Sequence, residues 1–278
     1  MSLFDAFSYQ DKRALVVGGA TGMGAAVAEV VNDAGADVVV MDRAPVTLDG
    51  VTAIELDLAD ASSIAAAIDE CGGTVDALFS CAGVADGTPG IEKINFIGHR
   101  ELIDGLLARD MLPRGSAIAM ISSAAGMGWE SNLDLILDFL TIDDFEKASQ
   151  WCLDSGRANY MWTKQVINAY VARQAMTMLA KGIRINATLP GPTNTPLAQA
   201  NADTWLTFGE DYREATGTEA STPLEQAYPL VFLCSDAAAG VTGITLFTDA
   251  GYYGTGVSKV LPSAADAVSF LRGELGPL

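Results

Sequence analysis

ALVVGGATGMGAAVAEVVNDAGADVVVMD, residues 14–42, decides the architecture. ALVVG (14–18) is an apolar, β-branched run and predicts a strand. Residues 22–34 follow with Met23, Ala26, Val27, Val30 and Val31 on one helical face, and Gly35 stops them. DVVVMD (37–42) predicts a second strand. Strand, helix and strand in such close succession predict a right-handed crossover between parallel strands. GGATGMG (18–24) leaves the first strand and opens the helix. Glycines there let the backbone approach a pyrophosphate, whose charge meets the helix N-terminus. Asp42 ends the second strand, 18 residues after Gly24. A carboxylate at that place accepts hydrogen bonds from the hydroxyls of an adenosine ribose. A glycine-rich turn alone is a weak signal. Inside this unit, with that acid, it predicts a dinucleotide site.

The alternation continues along the chain. TAIELD (52–57), ALFSCAG (77–83), AIAMISS (117–123), IRINATL (183–189) and ITLFTDAG (244–251) read as strands. Helical patterns lie near 62–71, 92–109, 157–181 and 223–235. The expected fold is α/β, a doubly wound parallel sheet of Rossmann type in one domain over 1–278. Near-continuous apolar strands agree, because both sheet faces are covered. Residues 129–156 break the alternation as a helical insertion rich in carboxylates, from Glu130 to Asp154. Residues 196–222 read as a long loop, expected to be a substrate lid. Residues 252–278 form a C-terminal extension.

Charge and composition narrow the function. Sixteen basic residues against 35 acidic ones give a net charge of −19. Such a surface repels phosphate backbones, so nucleic acid is not an expected partner. No run of 18 apolar residues occurs, so no membrane span is expected. The start, MSLFDAFSYQDKR, has no apolar stretch of a secretory signal. Cys71, Cys81, Cys152 and Cys234 lack CxxC spacing. Neither a disulfide framework nor a metal site is expected, and a reduced, cytoplasmic setting fits. His99 is the only histidine. With no GxSxG elbow beside it, it reads as a solvated or helix-capping side chain.

Tyr160 and Lys164 stand four residues apart, on one face of a helix. They follow a strand ending in Ser122-Ser123 and precede IRINATLPGPTNT (183–195). Together these residues resemble the short-chain dehydrogenase/reductase family. GGATGMG is similar to its T-G-x-x-x-G-x-G loop, with Val17 in place of Thr. Asp57-Leu58 resembles the acid that meets adenine. Cys81-Ala82-Gly83 resembles the N-A-G element, with Cys for Asn, a small buried residue here. Asn95-Phe96-Ile97-Gly98 resembles N-x-x-G, and 183–195 resembles R-x-N-x-x-x-P-G-x-x-x-T. The matches run in order from residue 14 to residue 251. The resemblance implies Ser123, Tyr160, Lys164 and Asn95 as catalytic residues. It implies a cofactor site of Gly18, Thr21, Gly22, Met23, Gly24, Asp42, Arg43, Asp57, Leu58, Cys81, Ala82, Gly83, Tyr160, Lys164, Pro190, Gly191, Thr193 and Thr195.

The chemistry asks for such residues. Oxidising an alcohol needs hydride loss to nicotinamide and proton loss from the hydroxyl. Free Tyr has a pKa near 10, too high for a base at neutral pH because the phenol stays protonated, and bringing it to about 7 takes roughly 4 kcal/mol. A Lys ammonium one turn away and a positive nicotinamide are expected to supply that. Ser123 is expected to hold the reacting oxygen, Asn95 a proton-carrying water, and Thr193 and Thr195 the carboxamide. Ser122 is expected to point away from Ser123. Asp42 predicts NAD(H) over NADP(H), and Arg43 is the counter-argument.

Met127, Trp129, Ser123, Trp205, Leu206 and Phe208 are the expected substrate pocket, for a small hydrophobic alcohol or ketone. Ser123 and Tyr160 are 37 residues apart, longer than in most of the family. The subgroup of bacterial 3α-hydroxysteroid dehydrogenase/carbonyl reductase carries a similar insertion. Aryl and coniferyl alcohol dehydrogenases look similar too. A hydroxysteroid-like secondary alcohol is favoured, an aryl or allylic primary alcohol is the alternative, and a non-catalytic NAD(H) sensor is the reading from another class. The family's dimer contact runs through the Tyr160 helix and the helix before it. A homo-oligomer is therefore expected, altered by the insertion.

Overall fold

The computed structural model describes residues 2–274. Seven strands form one sheet: β1 (Arg13–Val17), β2 (Asp37–Asp42), β3 (Thr52–Glu55), β4 (Ala77–Ser80), β5 (Ala117–Ile121), β6 (Arg184–Pro190) and β7 (Thr245–Thr248). Their order is β3-β2-β1-β4-β5-β6-β7, and every pair is parallel. Chain direction across the sheet reverses between β1 and β4. Such a switch point opens a crevice at the strands' C-terminal ends.

Strand alternation builds two cores. Leu15, Val39 and Leu78 pack on one face with Ile64, Ile68, Leu102 and Val166. Ala14, Val16, Val40 and Phe79 pack on the other with Val27, Val31, Leu230 and Leu233. The helices carrying these residues are Ala61–Cys71, Gly98–Ala108 and Tyr160–Ala180 on the first face, Gly22–Asp33 and Pro223–Cys234 on the second. Each fully buried aliphatic side chain contributes about 1.5–3 kcal/mol. Two glycines permit close approaches. At Gly18, φ is 83° and a Cβ would overlap the Ala82 backbone. At Gly98 a Cβ would overlap the Leu58 carbonyl.

Residues 129–156 hold a short 3-10 turn (Trp129–Asn132) and two helices, Leu133–Phe139 and Phe145–Asp154. Ile136, Phe139, Leu140, Phe145, Ala148 and Cys152 are buried in the first core. Residues 196–222 are not a loop. They contain helices Pro196–Gln199, Ala202–Trp205 and Glu210–Thr216. Phe208 and Tyr212 from this segment pack on Tyr252, beside Ala264 and Val268 of the C-terminal helices. Those helices are Tyr252–Val257 and Pro262–Leu271. The end of the C-terminal extension, 275–278, lies outside the described residues.

His99 departs from expectation: it is buried, 1% exposed, and its Nε2 pairs with the Ala82 carbonyl at 3.0 Å. The close packing that Gly98 allows carries it under the Cys81–Gly83 turn. Among the described residues no helix is long and apolar enough to cross a membrane.

Candidate active site

The glycine turn and the ends of β1, β2 and β4 line one half of a crevice. Gly18, Thr21, Gly22, Met23, Gly24, Asp42, Arg43, Asp57, Leu58, Cys81, Ala82 and Gly83 all face it. Thr21 caps the helix Gly22–Asp33 in position only, since its side chain makes no capping bond. The first N–H groups of that helix therefore meet the crevice without a side-chain acceptor, as a pyrophosphate requires. The Asp42 carboxylate is fixed by two backbone donors, Ala20 N–H at 2.9 Å and Ala44 N–H at 2.8 Å. Each oxygen keeps a lone pair for a ribose hydroxyl. Asp57 Oδ1 accepts from Ala59 N–H at 2.9 Å. Burial pushes the Cys81 thiol above its ordinary range, so it stays a neutral wall.

The crevice runs into a second hollow of about 270 Å³, with Met23, Cys81, Gly83, Thr195 and Leu197 shared by both. Ser123, Tyr160, Lys164, Pro190, Gly191, Thr193 and Thr195 line it. The two serines that end the β5 run face opposite ways. Ser122 Oγ donates to the Lys164 carbonyl at 3.1 Å. Ser123 Oγ accepts from Ala125 N–H at 3.2 Å and lines the same hollow as Tyr160, whose phenol it pulls down. Tyr160 opens its helix, which Asn159 caps at the Trp162 N–H. Lys164 Nζ donates to the Ile121 carbonyl at 2.9 Å and lies 5.4 Å from the Tyr160 ring centre. Thr193 Oγ1 donates to the Gly191 carbonyl, and Thr195 Oγ1 caps the Pro196–Gln199 helix at the Ala198 N–H.

Electrostatics of the chain alone differ from the expectation for Tyr160. Burial pushes the phenol up to about 12, the Ser123 hydrogen bond pulls it back, and Asp86 raises it further. Lys164 does not outweigh burial here. Its own ammonium is lowered to about 8 by burial, and it points at a backbone carbonyl rather than the phenol oxygen. Asn95 lies in a single wide turn, Lys93–Ile97, with π-helical pairing. Its side chain grips the Val84 backbone, accepting from N–H at 2.8 Å and donating to the carbonyl at 3.0 Å.

The substrate side needs correction. Trp205 and Phe208 line the hollow, and the Trp205 ring lies 4.9 Å from that of Tyr160. Met127, Trp129 and Leu206 do not line it. The 3-10 turn Ala124–Gly126 and Gly128, at φ 71°, redirect the chain after Ser123. Met127 and Trp129 then line a separate hollow with Phe247, Tyr253 and Arg272. The Leu206 carbonyl instead accepts from Arg213. Ala124, Ala125, Leu197 and Leu271 line the site and were not expected. The first three lie within two residues of Ser123 or Thr195. Leu271 is signalled only by the Ala264, Val268, Leu271 periodicity of its helix.

A side chain able to pass a proton, a buried ammonium and an apolar hollow opening from a nucleotide-sized crevice suit one class of protein, oxidoreductases that exchange a hydride between a nicotinamide and an alcohol. Comparison with known proteins agrees. A profile described as short chain dehydrogenase matches residues 12–132, and one described as Enoyl-(Acyl carrier protein) reductase matches 149–253. Cis-4-hydroxycyclohexanecarboxylate dehydrogenase of Sinomonas cyclohexanicum is 31% identical, over 88% of this chain and 98% of that one. Coniferyl-alcohol dehydrogenase of a Pseudomonas species is 26% identical, with the same coverage. The crystal structure of a 3-alpha-hydroxysteroid dehydrogenase from Pseudomonas sp. B-0831, complexed with NADH, superimposes with a TM-score of 0.72. It is 27% identical, covering 90% of this chain and 99% of that one. The chain belongs to the short-chain dehydrogenase/reductase family, and it is an oxidoreductase that acts on alcohols.

Proposed function

We propose that the protein interconverts an uncharged, hydrophobic secondary alcohol and its ketone with NAD(H). Ser123, Tyr160 and Lys164 carry the chemistry, with Asn95 behind them. The observation that carries this reading is the apolar hollow itself: Lys164 is the only charged side chain among its described lining residues. Bound by the crevice residues from Gly18 to Gly83, an oxidised nicotinamide would supply the hydride acceptor for the carbinol carbon. Tyr160 Oη takes the hydroxyl proton, and Ser123 Oγ holds the same oxygen. Lys164 favours the phenolate and serves the ribose hydroxyls. In the ketone direction the phenol returns the proton. Asn95 anchors Val84, and a water near it relays the proton outward.

A carboxylated substrate would meet no arginine in this hollow. The Sinomonas relative is named for a hydroxycyclohexane carboxylate, so the two should differ in substrate. The aromatic walls Trp205 and Phe208 also favour a second reading, an aryl or allylic primary alcohol, as the coniferyl-alcohol relative is named.

For the cofactor, the fixed Asp42 carboxylate favours NAD(H). A 2′-phosphate about 4 Å away costs roughly 4 kcal/mol per unit charge at an effective dielectric near 20, before screening. Exposed Arg43 makes no ion pair among the described residues, and a neighbouring anion would draw it in. The test is kcat/KM with NAD and NADP for neutral alicyclic, steroid and aryl alcohols and their carboxylated analogues, in wild type and Asp42→Ala. Neutral substrates should lead carboxylated ones, and NAD should lead NADP, each by about tenfold or more. Asp42→Ala should erase the cofactor preference. Preference for NADP, or for carboxylates, would overturn the corresponding half of the reading.

A further inference from the structure

Loop 81–90 ties two parts of the site together. Asn95 holds the Val84 backbone at both polar groups. Two residues on, Asp86 Oδ1 accepts from the backbone N–H of Tyr160 at 2.7 Å. Asn95 Nδ2 also donates to Thr163 Oγ1 at 3.3 Å, and Thr163 Oγ1 donates to the Tyr160 carbonyl at 2.8 Å. Both peptide groups of Tyr160 are therefore held in one circuit running Asn95, Val84, Asp86, Tyr160, Thr163 and back to Asn95. Tyr160 is the first residue of its helix, so its N–H has no partner within that helix. Asn159 serves Trp162 instead, and Asp86 supplies the missing acceptor from a loop 74 residues upstream. A carboxylate at a helix N-terminus is also favoured by the macrodipole.

We propose that Asp86 is a positioning residue for Tyr160, whose carboxylate fixes where the phenol sits and whose negative charge sets the field in which its proton moves. The proposal rests on the acid–base role given to Tyr160 above. Around the Tyr160 side chain, Ser123 is neutral, Trp205 is an uncharged ring and Lys164 is a cation one turn along, while the exposed Asp86 carboxylate, held at the Tyr160 backbone N–H, is the anion. Lys164 favours phenolate and Asp86 opposes it. Asp86 is exposed and makes no ion pair among the described residues, so solvent screens its charge but no neighbouring cation cancels it.

The experiment compares wild type, Asp86→Asn and Asp86→Ala in single-turnover alcohol oxidation across pH. NADH titration and thermal melting serve as controls. Asp86→Asn keeps an oxygen for the Tyr160 N–H and removes the charge. Its acid limb should move to lower pH by about half a unit. Asp86→Ala loses the bond as well, so its plateau should fall about tenfold, with NADH affinity retained and the Asn variant recovering much of the loss. An Asp86→Asn limb that superimposes on wild type, or moves to higher pH, overturns the proposal. If Asp86→Ala does not fold, the Asn limb alone decides. A Tyr160→Phe enzyme that still turns over would remove the underlying role instead. An inactive Tyr160→Phe with an unmoved Asp86→Asn limb removes only Asp86.

Discussion

Tyr160 is where opposing influences meet on one oxygen. Burial and Asp86 hold the phenol protonated, while the Ser123 hydrogen bond works the other way. Tyr160→Phe keeps the ring that packs against Trp205 and removes only the proton acceptor. Turnover should fall by about 10²–10⁴-fold while NADH still binds. Lys164→Ala should weaken both, since the proposed function gives that ammonium two roles. Steady-state kcat with a fluorescence titration of NADH checks the pair, and near-normal turnover in Tyr160→Phe would defeat the assignment. Residues of this kind are legible because spacing fixes their geometry. Four residues make one helical turn, and a strand end puts Asp42 at the crevice rim. Asp86 is not legible: its partner stands 74 residues away, and only the folded loop brings them together. Met127 and Trp129 mislead for a related reason, since a strand's direction cannot be carried through the turn at Ala124–Gly126.

At the scale of elements, β1, β2, β4 and β5 are readable because buried apolar residues occupy both of their faces, and the long helices because each spans two or more turns of periodic pattern. Strand ends were less readable. ALFSCAG continues apolar to residue 83, yet β4 ends at Ser80, where Cys81 and Ala82 both turn to bond the Val17 carbonyl. The helices within 196–222 have four to seven residues, too few to show a period. The 129–156 segment is part of the core. Phe139 is 1% exposed, and its ring lies 5.0 Å from Trp151, 5.9 Å from Trp162 and 6.1 Å from Phe96. Trp162 belongs to the helix that begins at Tyr160, so this cluster braces that helix from outside. Phe139→Ala should cost about 3–5 kcal/mol. Urea unfolding followed by tryptophan fluorescence and by far-UV dichroism measures it. Wild-type stability would mean that the segment is an accessory arm. A separate early fluorescence transition would mean that it unfolds as an independent unit.

For the whole molecule, the charge of −19 sets a background of self-repulsion that acid relieves. Against it stands His99, a buried group that titrates in the acid range. The Ala82 carbonyl can only accept, so His99 Nε2 carries the proton and Nδ1 does not. Nδ1 is buried with no partner among the described residues. Protonating it would strand a donor and a charge, and burial accordingly lowers His99 to about 4. The unfolded chain protonates this ring near 6.5. Between those values the unfolded state binds the extra proton, so stability is complete above about 6.5 and is lost as pH falls toward 4. The full effect is on the order of 3 kcal/mol. Asp104 opposes it in part. The protein packed around its carboxyl pushes it up to about 6, which disfavours the native state as pH rises toward that value, but the residue keeps enough contact with solvent for this contribution to be screened. Comparing wild type with His99→Gln cancels both the Asp104 contribution and the general relief of self-repulsion. The Gln amide can still donate to the Ala82 carbonyl but does not titrate. Denaturant midpoints from pH 7.5 to 4.5 should fall more steeply in wild type, and the two curves should converge toward the acid end. Parallel curves would mean that His99 is already protonated in the native fold, with an acceptor or water at Nδ1.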